Sequence, residues 1–98
     1  MSRAWIITED LIESSTDSAV NTTGPRDARD EDIAALKAGA GFAFVMKDDD
    51  GIPYYKGRAM WDEDDVEEGA YGPLGDFGGP NAGCVSITYP DHHEFDCG

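Results

Sequence analysis

Three consecutive runs decide the fold: GFAFVMK (41–47), DDDG (48–51) and IPYYKGRAMW (52–61). Side chains of an extended strand alternate between two faces, so the first run sets Phe42, Phe44 and Met46 on one side and Ala43, Val45 and Lys47 on the other. Asp50-Gly51 supplies the positive φ that a hairpin turn needs. The return run shows Ile52, Tyr54, Lys56, Arg58 and Met60 on one side and Pro53, Tyr55, Gly57, Ala59 and Trp61 on the other. Pro53 near its start marks an amide that needs no ladder partner. The pattern is a β-hairpin with one strongly apolar face, which the rest of the chain must cover.

Working outward, RAWIIT (3–8) has the β-branched and aromatic content of a strand. Residues 9–13 suit one helical turn with Leu11 or Ile12 inward, and residues 14–25 suit a loop with Val20 as its candidate anchor. Asp30 reads as the N-cap of a short helix that carries Glu31 and Asp32 at the positive end of the dipole. Ile33 and Leu36 share its inner face, and Lys37-Ala38-Gly39 stops it. Six glycines in residues 69–83 point to a long irregular loop, from which Tyr71, Leu74 and Phe77 reach back over the sheet. Residues 84–89 form the last strand, with Val85, Ile87 and Tyr89 inward, and 91–98 a polar tail. The expected architecture is α+β: an antiparallel sheet of about four strands, one short helix on one face and a long Gly-rich loop, in a single domain over 1–90.

The 98 residues leave room for one domain. Leu, Ile, Val and Phe number only 17 and the net charge is −14, a combination that borders on disorder, but two Trp, four Tyr and three Met supply large apolar surface in strand register. The charge argues against direct binding of nucleic acid or an anionic membrane, and for cationic partners. No apolar run approaches the roughly 18 residues of a membrane span, and the first dozen residues lack a signal-peptide pattern, so the expected location is the cytoplasm. There the default for Cys84 and Cys97 is two reduced thiols, although a disulfide between them is geometrically possible.

Charge is distributed unevenly. Residues 59–98 hold ten carboxylates and no Lys or Arg, whereas residues 1–58 hold eleven against seven. A one-signed block serves as a solvated face, as salt adaptation or as a dock for a basic partner. In an extended segment Asp62, Asp64 and Glu68 project to one side at multiples of about 6.6 Å, near the spacing of successive phosphates. A helix there would set Glu63 against Glu67 and Asp64 against Glu68 as like-charge pairs. The candidate partner-binding set is therefore Asp62, Glu63, Asp64, Asp65, Glu67 and Glu68, with Asp48, Asp49 and Asp50 at the hairpin tip as a second acidic point and Trp61 and Tyr71 as aromatic anchors.

In size and charge the chain is similar to the small acidic inhibitors that phages and mobile elements use against restriction or CRISPR systems. The likeness implies a non-enzymatic decoy on the basic surface of a nucleic-acid-binding protein or complex. Two other readings compete: a domain of a salt-adapted organism, since Asp outnumbers Glu fourteen to seven with only three lysines, and a weak divalent-cation binder at residues 62–68. An EF-hand alignment on Gly51 fails at Met46 and Gly57, where carboxylates are required. Asp91-His92-His93-Glu94 with Cys97 has zinc-ligand residue types but no second pair, so neither a metal nor a cofactor is expected. Both histidines lie in the tail and Cys84 has no cationic neighbour in sequence, so no catalytic set is expected either.

Overall fold

The computed structural model describes residues 3–12 and 18–98. It is α+β, built on a five-stranded antiparallel sheet in the order β2-β1-β4-β3-β5. The strands are β1 (Arg3–Asp10), β2 (Thr23–Gly24), β3 (Phe42–Lys47), β4 (Pro53–Trp61) and β5 (Ser86–Thr88). The fifth strand beyond the expected four is the two-residue β2, which pairs Gly24 with Trp5 and Thr23 with Ile6. Helix α1 (Asp30–Lys37) lies on one face. The other face is covered by one helical segment, entered through a 3-10 turn (Glu63–Asp65) and made of α2 (Val66–Pro73), a π-helical turn (Leu74–Gly78) and α3 (Gly79–Ala82).

The hairpin at the centre follows the alternation of its sequence. Phe44, Met46, Tyr55 and Ala59 are buried in the main core with Trp5, Ile7, Ala70, Leu74, Cys84, Ile87 and Tyr89. Gly51 has φ +78°, and Asp48 N–H donates to the Ile52 carbonyl at 3.0 Å to close the turn. Pro53 opens its strand opposite Lys47, beside a register shift between Met46 and Lys47, a position at the strand start where proline is tolerated.

Several expectations are corrected. Glu9 and Asp10 continue β1, paired with Lys56 and Tyr55 past a bulge, instead of starting a helical turn. Ile12 packs on the core, while Leu11 and Val20 are exposed. Of the loop expected at 14–25, residues 14–17 lie outside the described residues. The N-cap position of α1 is Arg29, whose side chain makes no capping bond, so Asp30 is the first helical residue. Val85, expected inward, is exposed: it precedes β5, although its N–H still donates to the Lys47 carbonyl at 2.9 Å.

The largest correction concerns the glycine-rich segment, which is helical where a loop was expected. Ala70, Leu74 and Phe77 recur at helical spacing and form its inner stripe. Burying that stripe against the sheet outweighs a glycine penalty of up to about 1 kcal/mol per position and like-charge pairs of about 0.2–0.5 kcal/mol each. Two glycines make the seating possible by close approach. A Cβ on Gly69 would stand 2.4 Å from Trp61 Cβ, and one on Gly78 would stand 2.5 Å from Met46 Sδ. The Tyr89 hydroxyl, inside the core, donates to the Ala70 carbonyl at 2.7 Å and pins α2 to the last strand.

Residues 91–98 fold back along β5. Cys97 and Ile87 exchange two backbone hydrogen bonds, of 2.9 and 3.0 Å, which covers the outer edge of β5 against strand addition. Phe95, from the 3-10 turn His93–Phe95, packs against Phe42, Trp61 and Tyr89. Both cysteines are free thiols. No helix among the described residues is long and apolar enough to cross a membrane.

The seating of α2 is testable with alanine in place of glycine. Gly69→Ala and Gly78→Ala should each lose about 1–3 kcal/mol in urea unfolding, from overpacking against Trp61 and Met46. At Gly72 an added Cβ would meet nothing nearer than 3.9 Å, so Gly72→Ala should gain up to about 1 kcal/mol from helix propensity. Equal effects at the three positions would contradict the helix.

Candidate functional site

The 3-10 turn and the first turns of α2 carry the acidic block. The inner stripe faces the sheet, so Asp64, Glu67, Glu68 and Tyr71 occupy the outer face of the same helical segment. The expected extended ladder of carboxylates is therefore absent. Neighbours three or four residues apart on a helix stand about 5–6 Å from each other, so Asp64 and Glu67 or Glu68 keep a spacing near that of phosphates by a different geometry. Placing carboxylates in the first turns also sets them at the positive end of the helix dipole, which offsets part of their mutual repulsion.

The six block residues have three different environments. Glu63, Asp64 and Glu67 are exposed, and none of them takes part in an ion pair among the described residues. Asp62 and Glu68 are exposed but lie near cations. Glu68 Oε2 is 3.3 Å from an Arg3 Nη, and Asp62 lies in the field of Arg29. The Arg29 guanidinium donates to Asp32 at 3.1 Å and sits 3.2 Å from Glu31. The Asp32 hydrogen bond above all, then the charges of Asp32, Glu31 and Asp62, raises its pKa. Asp65 leaves the outward set, because it is only 3 % exposed and its Oδ2 has no hydrogen-bond partner.

An aromatic cluster adjoins the block. The Trp61 ring stacks on Phe42 at 5.0 Å and meets the edges of Phe95 and Tyr89 at 5.0 and 5.6 Å, and His92 packs on Phe42 at 4.8 Å. Trp61, Phe42, His92 and Phe95 are each half-buried, so their outer rims reach solvent beside Asp62. Tyr71, expected to reach back over the sheet, is instead 52 % exposed on α2, its ring against Gly75. The aromatic rim owes two of its rings to residues 91–98, which as a polar sequence gave no sign of it; Phe95, the single large apolar residue there, was the available signal.

The hairpin tip lies elsewhere. Asp48–Asp50 and Trp61 are at opposite ends of β4, whose nine residues span about 27 Å. The structure therefore separates the two acidic points that the sequence allowed to be joined. At the tip the three carboxylates approach within 4.8 Å of one another, the one such group of three among the described residues, whereas residues 62–68 do not converge in this way. The Asp48 carboxylate is already engaged by its own turn, accepting from the N–H groups of Ile52 at 2.8 Å and Asp50 at 3.0 Å. The Ile52 bond foremost, aided by the Tyr54 hydroxyl, holds its pKa below the ordinary aspartate value.

The two thiols are poor nucleophiles. Burial, reinforced by the Asp48 charge, pushes the Cys84 thiol up to about 11, and burial raises that of Cys97 as well, so both stay protonated at neutral pH. No protein-family model matches the chain, and no curated protein or solved structure matches it.

Two measurements check this geometry. In a carboxyl NMR titration Asp48 should titrate below the ordinary aspartate range. Since its folded pKa is depressed, the stability it adds should be complete above about pH 3.9 and should vanish as pH falls through the folded value; an unshifted Asp48 would contradict the turn. Asp65→Asn should raise unfolding stability by about 1 kcal/mol, because it removes charge from a buried oxygen that no donor reaches. A loss would show that the charge is compensated in place.

Proposed function

We propose that the chain is a non-enzymatic protein-binding module whose acidic helical face occupies a cationic, nucleic-acid-binding surface on another protein or complex. The observation that carries this reading is the outward row of Glu63, Asp64 and Glu67, with no cation partner among the described residues, on a helical segment locked to the sheet through Gly69 and Ala70. Order matters as much as sign. Carboxylates on a fixed helix meet Arg and Lys without the entropy loss of freezing a flexible acidic tail, and charge-assisted contacts are about twice as strong as neutral ones. Tyr71 on the same face and the Trp61 rim beside it supply the aromatic contacts that fix an interface once charge has steered the encounter. Defence systems that handle foreign nucleic acid, of the restriction or CRISPR type, present surfaces of the required sign, and a decoy from a phage or mobile element is the biological setting this chemistry fits.

The test is competition. The protein should displace a short duplex DNA from a purified restriction or CRISPR effector complex, with an inhibition constant that rises steeply between 50 and 200 mM salt, as about 10³–10⁵-fold losses do for six to ten phosphate contacts. Replacing Glu63, Asp64 and Glu67 together by Gln, Asn and Gln should weaken the displacement at least about tenfold while the melting temperature holds or rises. Equal displacement by the triple variant would refute the reading. A melting temperature that climbs into molar KCl, with no displacement from any complex tried, would favour salt adaptation.

A further inference from the structure

Helix α1 covers only part of its face of the sheet. It packs Leu36, Ile33 and Ala28 near Ala4, Ile6 and Met60, at one end of β1 and β4, and β3 contributes nothing to that cluster. Where α1 stops, a groove of about 320 Å³ opens over the middle strands, lined by Ala43, Val45, Gly57, Thr8 and Pro90 around Lys56 and Arg58. Its volume lies at the lower end of the range for small-molecule sites, about 300–1,000 Å³.

Its charge is opposite to that of the rest of the molecule. Arg58 Nε and Nη2 donate to the carbonyls of Ala40 at 2.8 Å and Gly41 at 2.7 Å, which fixes the guanidinium plane and leaves its remaining N–H groups for another acceptor. Neither Arg58 nor the exposed Lys56 has a carboxylate within ion-pair distance among the described residues, in a chain with 21 acidic and 7 basic side chains. Two cations over an apolar floor of alanine and valine match a ligand with an anionic head and a short apolar body.

We propose that this groove binds a small amphiphilic carboxylate, its head on Lys56 and Arg58 and its apolar part over Ala43 and Val45. The site is independent of the acidic helix, which covers the other face of the sheet, and stands if the decoy reading fails. Glu9 is the one carboxylate in the lining and lies across from Lys56 in register, so it opposes an anion there. Repulsion from the net charge of −14 is largely screened beyond about 8 Å at physiological salt, so the local cations govern binding.

The experiment is an amide NMR titration at 0.15 M NaCl with sodium octanoate as probe, and with octylammonium chloride and inorganic phosphate as comparisons. Octanoate should give saturable shifts at Thr8, Ala43, Val45, Lys56 and Gly57; octylammonium should give none there, and phosphate much weaker ones. Lys56→Gln, at an exposed position that leaves the fold intact, should cut octanoate affinity about tenfold, and Glu9→Gln should raise it. Absence of saturation by octanoate, equal shifts with octylammonium, or insensitivity to both substitutions would overturn the proposal. So would shifts of the same amides on raising protein concentration alone, which would seat a second copy in the groove.

Discussion

Backbone seated directly on a tryptophan is the constraint from which the rest of this structure follows. Gly69 lies against Trp61 and Gly78 against Met46 so closely that neither position has room for a side chain. That approach lets Ala70 and Leu74 join the core with Trp5, Phe44, Ile87 and Tyr89. It also sets the helix rotation, because once Ala70 and Leu74 face the sheet, Asp64, Glu67, Glu68 and Tyr71 are turned to the outer, exposed side. Core packing and the outward acidic surface are two results of one contact. A charge of −14 disfavours compaction, so a domain this small depends heavily on the face that this segment buries.

The strands were legible because period-two alternation survives in the sequence. Phe42-Phe44-Met46 and Tyr55-Gly57-Ala59 appear on the core side as their spacing implies, and the turn Asp48–Gly51 forms where Asp-Gly predicts it. The helical cover was not legible by the same rules. Glycine in a helix reads as a breaker, and two like-charge pairs read as a further objection, since local propensity cannot register a partner surface that arrives from elsewhere in the chain. The clue was Ala70, Leu74 and Phe77 at helical spacing. Burial of Asp65 was invisible for a related reason: a lone carboxylate amid five others looks like surface until the inner stripe is known.

Charge is sorted by face as well as by sequence. The helix that covers the main core exposes Glu63, Asp64 and Glu67, whereas the half of the sheet that α1 leaves open holds Lys56 and Arg58 over a groove. Arg3 and Arg29 temper the acidic side at Glu68 and Asp62, and among the described residues Glu63, Asp64 and Glu67 have no ion-pair partner. The aromatic rim of Phe42, Trp61 and Phe95 gives that acidic side an apolar border, built jointly by β3, β4 and the C-terminal turn. Sign, order and aromatic border are the three features on which the proposed docking role rests.

The claim beneath all of this is that residues 63–82 form an ordered helix on the sheet in solution. Backbone ¹³Cα chemical shifts with amide hydrogen exchange over that segment test it most directly. The account predicts helical shifts from Val66 to Phe77 and exchange at Ala70 and Leu74 as slow as at Phe44 in β3. Random-coil shifts with exchange at the rate of an unstructured peptide would contradict it, and the ordered acidic surface would go with it.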